Sequence, residues 1–456
     1  MRPARQVPLA LALALSLAAG KALAQARSDA AEPSSNGEAV QLSAYEQQTI
    51  SEILAARGED LAPEPDGKII EDIRIVRLEV FDEHDPVPDF FNVFHVTSRE
   101  RVIRRELLFS AGQRYDPRSI DETARNLRDL RQLSLVLIVA VNGSAPDRVR
   151  VLVITKDVWS LRLNSNVAFG SGGLSYFLLN PSEENFLGTH ASVGALFILL
   201  PKSYSLGLLA SQHRIVGTHL EGVASSSVIY NRNSGAHEGE FGFFSYGQPL
   251  YASDVKWGWG TGLYFRDETY RVYDGDQVKT FDADATLGDD ALPMAYRSER
   301  AVGGYELIRS FGRAQKFDLS LGAEADRRHY RYDPPSAALP LAVSEFEREK
   351  LPVSDTRISP FLQLQSYSTQ FLTTIELETL GLQEDVRLGP ALLLRVYPAS
   401  KAVGSSRDLL GTLSGVSYTL PLGDGLVRAI AASTIEYEFH GHHDALAEGH
   451  LRLASP

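Results

Sequence analysis

The chain has 456 residues, of which 44% are hydrophobic, 23% charged and 9% aromatic; this composition excludes a disordered or collagen-like protein. Its formal net charge of −13 provides no basic excess for neutralising phosphates, so nucleic-acid binding is not expected. The absence of cysteine excludes a disulfide framework, cysteine-ligated zinc and thiol catalysis.

Residues 1–24 have the features of a secretory signal peptide. Arg2 and Arg5 precede an apolar run from Val7 to Ala19, and Ala22-Leu23-Ala24 provides a small-x-small cleavage site. The run is shorter than the roughly 20 residues of a spanning helix, which argues against an uncleaved anchor. An exported, cysteine-free chain with many short strands indicates the periplasm or outer membrane of a Gram-negative bacterium.

Residues 25–66 are polar and rich in Ala, Ser, Glu and Pro, which predicts a flexible arm. One short helix is expected within it. Ile50, Ile53 and Leu54 roughly share a helical face, and Gly58 is placed to end the helix.

Residues 67–156 predict a small separate domain with the order β-α-α-β-β. Asp116 and Pro117 form a good N-cap and first turn, and the apolar residues that follow recur at helical spacing. Val149, Val151 and Val153 alternate along a closing strand. The segment 99–150 carries 11 Arg and 7 acidic residues; anionic lipids or an acidic partner could use this excess, and exposed arginines on amphipathic helices explain it equally well.

From Trp159 onward, apolar residues alternate with polar residues or glycine in 13 or 14 segments of about ten residues. One example has Leu263 and Phe265 on one face and Gly262 and Tyr264 on the other. A soluble sandwich alternates too, but its strands are shorter. Long polar loops at 267–298 and 332–356, expected to be hydrated, contrast with tight turns elsewhere. Residues 157–456 therefore predict a transmembrane antiparallel β-barrel, with Leu263 and Phe265 facing lipid.

No catalytic, cofactor-binding or metal site is predicted, and the chain is not expected to be an enzyme. His440, His442, His443 and Asp444 have metal-binding side chains, but their tight spacing in a loop favours a solvated segment. The aspartates between residues 274 and 290 do not fit the twelve-residue calcium loop and predict a hydrated loop.

Three stretches resemble the BamA/TamA family of outer-membrane proteins, the bacterial surface antigen family. They are Arg105-Glu106-Leu107-Leu108-Phe109 with the helix pair around it, Gly172-Gly173-Leu174-Ser175-Tyr176 with Asn185-Phe186-Leu187-Gly188-Thr189, and Ser245-Tyr246-Gly247-Gln248-Pro249-Leu250. The resemblance implies that residues 67–156 are one periplasmic POTRA domain, ahead of a barrel of about sixteen strands. It also implies that Asn185, Phe186, Leu187, Gly188 and Thr189 form a periplasmic turn.

Two features depart from the family pattern. The Arg-Gly-Phe/Tyr motif is absent, and in the nearest stretch, Arg395-Val396-Tyr397-Pro398, valine replaces the glycine; Val396 is expected to be an ordinary strand residue. The C-terminus also lacks a terminal strand with a final aromatic residue. The barrel at 157–456 is therefore expected to be C-terminally incomplete, or else divergent.

The resemblance implies an outer-membrane protein assembly or translocation factor. Its expected partners are unfolded outer-membrane protein clients, outer-membrane lipids and periplasmic accessory proteins. The first barrel strand is expected to be a lateral seam, because polar residues at its centre weaken its pairing register; the seam residues are Leu161, Leu163, Asn164, Ser165, Asn166, Val167 and Phe169. The alternatives are a secretion pore and a structural, adhesin-like surface barrel.

Overall fold

The computed structural model describes residues 42–80, 96–130, 132–170, 173–375, 377, 383–423, 425–439, 441 and 443–454. The predicted signal peptide, His440 and His442 lie outside the described residues. None of the helices in this part of the chain is long and apolar enough to cross a membrane.

In its described residues, the N-terminal domain, 42–157, has a three-stranded sheet and three helices. In chain order the elements are α1 (Ala44–Arg57), β1 (Ile69–Leu78), α2 (Glu100–Arg104), α3 (Pro117–Asp129), β2 (Leu133–Asn142) and β3 (Arg148–Asp157). The sheet order is β1-β3-β2, with β1 parallel and β2 antiparallel to the central β3. From β1 to β3, the elements follow the order expected from the sequence.

Helix α3 supplies the core of this domain. Asp116 caps it by accepting a hydrogen bond from the N–H of Arg118, and Pro117 occupies the first turn. Leu127 is 0% exposed and packs with Val151 and Val153 of β3. The apolar stripe of the helix thus lies on the apolar face of the sheet.

Helix α1 packs on the opposite face of the same sheet. Ser43 and Glu46 form a reciprocal capping box, and Gly58 ends the helix at a positive φ of 61°. Ile50 is buried against Leu135 and Leu152. The helix was expected in a flexible arm spanning 25–66; its buried apolar residues instead attach it to the domain.

The remaining strands are β4 (Leu161–Gly170), β5 (Gly173–Phe186), β6 (Ala191–Leu199), β7 (Ser203–Gln212), β8 (Glu221–Asn231), β9 (His237–Gln248), β10 (Trp257–Arg271), β11 (Tyr273–Asp274), β12 (Gln277–Val278), β13 (Thr280–Phe281), β14 (Leu292–Pro293), β15 (Ala295–Gly312), β16 (Gln315–Arg331), β17 (Asp355–Ser368), β18 (Phe371–Ile375), β19 (Gln383–Arg387), β20 (Gly389–Ala399), β21 (Leu409–Leu422), β22 (Gly425–Glu438) and β23 (His443–Ala454). All belong to one antiparallel sheet, the barrel sheet, except the short pairs β11–β12, β13–β14 and β18–β19. Within the described residues the barrel sheet has 14 strands and does not close, because β4 and β23 end it.

The barrel sheet buries its polar face and exposes its apolar face. On β16, Lys316 and Asp318 are only 2% and 3% exposed, whereas the alternate residues Leu319 and Leu321 are 37% and 58% exposed. The register places Leu263 with the exposed set and Tyr264 with the buried set, as predicted. This inversion is typical of a sheet whose outer face contacts lipid.

The exposed apolar row on β16 runs from Phe317 to Ala325 and ends at Arg327. At about 3.4 Å per residue and a tilt near 40°, it spans roughly 20 Å, close to the apolar band of about 25 Å in membrane barrels. The sheet also curves toward its polar face. Arg357 on β17 contacts Glu436 on β22 at 2.9 Å, although strands three places apart in a flat sheet lie about 14 Å apart.

Two loops at the end of the barrel far from the N-terminal domain form a folded cap. Residues 272–294 contain β11 to β14, and residues 332–354 contain helix α4 (Pro340–Glu349). Phe346 and Leu292 are buried together, with Tyr332 stacked on Phe346 at 4.1 Å. Hydrated loops were expected here; the structure differs because Leu292, Tyr332 and Phe346 form a small apolar core with their neighbours.

One connection at the other end is long rather than tight. Strands β18 and β19 form a hairpin of five paired residues on each side, between β17 and β20. This end was expected to have only short turns. The hairpin pairs with no other strand of the described chain and lies against the N-terminal domain.

Candidate functional site

The predicted seam strand is β4, an end strand of the barrel sheet. It pairs with β5 on one side, and no other described strand pairs with it. The other end strand, β23, runs antiparallel to β4 by strand order. Both carry exposed apolar side chains on the outer face, including Leu163 and Phe169 on β4 and Leu451 on β23.

The register shows that the alternation of β4 is more regular than expected. Arg162 pairs with Ser182, which is buried and marks the inner face of the sheet. Asn164 and Asn166 lie on the same face as Arg162, where they pair with Asn180 and Leu178. Asn164 and Asn166 thus keep the polar inner face, and only Ser165 interrupts the outer row of Leu161, Leu163, Val167 and Phe169. The reason is the period of two, which places Asn164 and Asn166 on the same side.

The predicted turn at 185–189 connects β5 and β6 and contacts the N-terminal domain. Leu187 has φ 55° and Gly188 φ 69°, so the turn uses the left-handed region twice. The N–H of Arg99 donates to the Gly188 carbonyl at 3.0 Å. A Cβ at Gly188 would lie 2.7 Å from the Thr97 carbonyl oxygen, so only glycine permits this approach.

A buried polar cluster joins this turn to the domain. The Asp157 carboxylate accepts from the Ser98 N–H at 2.7 Å and from the Ser98 hydroxyl at 2.9 Å. Asn185 Nδ2 donates to the same serine oxygen and to the same carboxylate. His190 Nε2 lies 2.7 Å from Ser98 Oγ. Because Asp157 contacts the serine rather than the histidine, and Ser98 is fully buried, the cluster holds elements together rather than presenting a nucleophile.

Burial lowers the pKa of His190 from 6.5 to about 4. The cause is the removal of the imidazole from water, which disfavours its charged form; the nearby Asp157 and Glu106 oppose this effect only in part. His190 therefore occupies the junction as a neutral side chain at pH 7.

A second buried contact pairs the α2 region with the turn between β7 and β8. Glu106 and Arg214 are 1% and 6% exposed and form a bidentate ion pair, with Arg214 Nε 2.8 Å from Glu106 Oε1. The Arg214 guanidinium also lies 5.5 Å from the Tyr251 ring centroid. His213 approaches the same carboxylate at 3.8 Å. The pair fixes one edge of the domain on the barrel.

Helix α3 contacts two further barrel connections. Glu122 accepts from the N–H and the hydroxyl of Ser253, between β9 and β10. Arg128 forms a bidentate ion pair with Asp385 on hairpin β18–β19, at 2.7 and 3.1 Å. Among the described residues, the domain therefore contacts four separate connections at the same end of the barrel.

The inner face of the barrel sheet carries paired charges. Asp326 accepts from Arg300 and Arg328, and Arg357 bridges Glu324 and Glu436. Val396 is an ordinary strand residue, as expected: it pairs with Leu362 and Thr412 on β17 and β21. The lining can therefore face water or polar segments of a chain.

Sequence reasoning missed most junction residues. Glu106 was noted only as part of a family-like stretch, and Arg214 lies 108 residues further along. One local signal was available, an acidic residue directly before the apolar run Leu107-Leu108-Phe109. His190, Gln383 and Asp385 have no such signal, because their partners are distant in sequence.

An outward apolar and inward polar sheet with an N-terminal domain at one end defines the class of membrane β-barrels with an accessory domain. No protein-family model matches the sequence, and no curated protein sequence matches it. The chain is similar to the solved structure of BamA from Haemophilus ducreyi lacking POTRA domains 1–3, at 13% identity and a TM-score of 0.34, over 87% of this chain and 64% of that one.

Two solved structures of CdiB are also similar. CdiB from Acinetobacter baumannii has 9% identity and a TM-score of 0.32, over 85% of this chain and 74% of that one. CdiB from Escherichia coli has 13% identity and a TM-score of 0.35, over 97% and 95%. The chain spans less than two thirds of the BamA structure. At these identities and TM-scores the likeness does not define a function.

Proposed function

We propose that this chain is an outer-membrane β-barrel protein that assembles or translocates other outer-membrane proteins, with a POTRA-like N-terminal domain in the periplasm. The observation that carries the proposal is the pair of end strands, β4 and β23, each of which pairs with only one other strand of the described chain. Both lie within the apolar outer face, and β4 follows the N-terminal domain after only three residues.

The chemistry of these edges suits a strand as substrate. A free edge presents N–H and C=O groups that must be paired in lipid, because an unpaired backbone group costs several kcal/mol there. A client hairpin that pairs with β4 or β23 satisfies both its own backbone and the edge. The seam between these strands is then a template on which a client acquires its first strands.

The N-terminal domain would hold the client before insertion. Its docking on four connections fixes it at the end of the barrel where β4 begins. The expected direction is therefore from the periplasm, past this domain, to the seam.

Reconstitution tests the proposal. The purified chain is placed in phosphatidylethanolamine/phosphatidylglycerol vesicles, and an unfolded eight-stranded barrel protein is added. Heat-modifiable migration on gels reports the folded fraction. We expect faster folding than in protein-free vesicles and in vesicles that hold an unrelated porin. Equal rates in all three would contradict an assembly role.

The polar inner face favours a secretion pore as the second candidate. Paired charges such as Arg300–Asp326 line it, and such a lining tolerates a translocating polar chain. Planar-bilayer conductance in the absence of any effect on client folding would favour the pore.

A further inference from the structure

The outer face of the barrel sheet has a positive charge inside its apolar rows. Arg309 on β15 pairs with Trp257 on β10 and with Leu319 on β16. Directly paired residues share a face of the sheet, and Leu319 belongs to the exposed apolar row, so Arg309 lies on the outer face. The other members of its own row between residues 301 and 311 are uncharged: Ala301, Gly303, Tyr305, Leu307 and Phe311.

Arg309 lies near the middle of the apolar band. Its partner Leu319 is two residues from Leu321, the midpoint of the outer apolar row of β16. Two residues correspond to about 7 Å along a strand, so the backbone of Arg309 lies within the hydrocarbon region, where a charged side chain is costly. An ionisable residue at this depth is by default a functional-site hypothesis, whose partner has to be identified.

Two aromatic rings direct the arginine side chain toward the end of the barrel that contacts the N-terminal domain. The Arg309 guanidinium carbon lies 4.8 Å from the Trp257 ring centroid and 5.3 Å from the Phe311 ring centroid. Trp257 begins β10, and Phe311 precedes the turn to β16. The domain contacts this end, because Glu122 on α3 accepts from Ser253 in the connection to β10. The side chain therefore extends toward the interface between lipid and water.

The two rings leave the hydrogen-bonding capacity of Arg309 unused. Aromatic faces attract the charge of a guanidinium, but the five N–H donors of that group need oxygen or nitrogen acceptors. Among the described residues, none accepts a hydrogen bond from the Arg309 side chain, and no carboxylate lies within 4.0 Å of it. Because the hydrocarbon region contains no water to pair with such donors, an acceptor from the lipid suits this position.

The connections next to Arg309 add to its positive charge. Asp254 and Lys256 lie just before β10, and Arg313 lies in the turn after β15; all three are exposed. With Arg309 they make three cations and one anion, a net charge of +2, in a chain whose formal net charge is −13. A zwitterionic head group would bring a further ammonium into these surroundings, whereas an anionic head group would not. The local charge therefore favours an anionic lipid.

We propose that Arg309, between Trp257 and Phe311, binds the phosphate of an anionic phospholipid in the leaflet nearer the N-terminal domain. The planar guanidinium donates to phosphate oxygens in the fork geometry that arginine favours. The site lies on the two middle strands of the barrel sheet, since β10 is the seventh strand from β4 and β15 the seventh from β23. Binding there leaves both end strands free, so the site does not depend on whether the barrel assembles or secretes proteins.

Quenching of tryptophan fluorescence by brominated lipids tests the site, because Trp257 contacts Arg309. The chain has three tryptophans, and Trp159→Phe with Trp259→Phe leaves Trp257 as the reporter. The full chain is reconstituted in phosphatidylcholine vesicles with a small fraction of dibromo-phosphatidylglycerol or of dibromo-phosphatidylcholine. The ratio of the two quenching efficiencies gives the local enrichment of the anionic lipid. We expect about fivefold, the factor that one basic residue supplies near anionic lipid.

Two controls separate a local site from general attraction. Arg309→Gln should lower the enrichment to about one, whereas Arg327→Gln should leave it unchanged, because Arg327 is exposed at the opposite end of the outer row on β16. A second reporter requires no change at Arg309. Leu208→Trp, in a chain whose native tryptophans are replaced by phenylalanine, reports on the outer face of β7, where the paired residues Ala195 and Ser226 are uncharged. Its enrichment should be about one.

Equal enrichment in the Arg309→Gln chain and in the reporter chain with Arg309, or equal enrichment at Trp257 and at Leu208→Trp, would overturn the site. Loss of the enrichment in Arg327→Gln would assign it to the overall charge of the barrel and would also overturn the site. Replacing chloride by inorganic phosphate at constant ionic strength should leave the quenching unchanged. Relief of the quenching by phosphate would show a site for free anions and would contradict the binding of a lipid.

Discussion

Helix α3 and strand β16 both carry apolar residues at regular spacing, but their burial is opposite. Leu127 of α3 is fully buried within the N-terminal domain, whereas Leu321 of β16 is largely exposed and its neighbour Ser320 is buried. The N-terminal domain orders its residues as a protein in water does. The barrel sheet reverses this order, so the two regions are built for different solvents.

The junction between the N-terminal domain and the barrel differs from both regions, because it contains buried polar pairs. Glu106–Arg214 and the cluster around Ser98 are both buried polar contacts. Such contacts are weak sources of stability but are strict in geometry, because an unpaired buried charge is costly. These contacts determine the position of the N-terminal domain on the barrel more than they add to its stability.

Breaking the junction pair should give the largest effect. Glu106→Ala leaves the Arg214 guanidinium buried without its carboxylate, and we expect a loss of about 3–5 kcal/mol in the free energy of unfolding of the domain. Urea titration of the full chain in detergent measures it. The double variant Glu106→Ala/Arg214→Leu should recover part of the loss, and a double variant as unstable as the single one would contradict the charge argument.

Truncating a leucine to alanine should affect the stability of the N-terminal domain more than that of the barrel sheet. Leu127→Ala should cost about 2–5 kcal/mol, because it creates a cavity among Val151, Val153 and their neighbours. Leu321→Ala, the same change on the outer barrel face, leaves no internal cavity and should cost clearly less. Chemical denaturation of both variants provides the comparison, and equal losses would mean that the two sites have similar packing.

A charge introduced on the outer face of the barrel sheet tests whether this face contacts lipid. Leu321 is the midpoint of the apolar row from Phe317 to Ala325, so Leu321→Arg should destabilise the barrel in a bilayer by about 2–4 kcal/mol. Gly415 provides the control, since it lies on the inner face and a Cβ there meets nothing within 4 Å. If Gly415→Arg proves as costly as Leu321→Arg in vesicles, the inner and outer faces are wrongly assigned.

Acid should weaken the junction through His190. The folded pKa of about 4 lies below the ordinary 6.5, so the undocked state binds more protons between these values and docking is lost as pH falls from 6.5 toward 4. Each pKa unit corresponds to about 1.4 kcal/mol, which gives up to roughly 3 kcal/mol. Limited proteolysis at residues 158–160, which connect β3 to β4, measures docking between pH 7 and 4. His190→Asn should make docking less dependent on pH. An unchanged pH dependence would mean that another titratable group causes it.

The same contrast explains what the sequence could predict. The stripe around Leu127 and the alternation around Leu263 each repeat with a fixed period, so α3 and the barrel strands were predictable from local patterns. The Asn185–Thr189 turn was predicted from the resemblance alone. His190, Arg214 and Gln383 could not be found, because each acts through a partner distant in sequence and has no periodic context. The cap around Phe346 was missed because its apolar residues come from two loops that are far apart in sequence.

The most direct test of the account is a covalent lock on the seam. In the cysteine-free chain, Asn164→Cys on β4 is paired with cysteines scanned along the inner face of β23, and the pair that oxidises best is reconstituted with the unfolded client. We predict that the oxidised protein folds client no faster than protein-free vesicles, and that reduction restores the rate. A locked barrel that folds client as fast as the reduced one would show that the seam does not open, and would contradict the assembly mechanism.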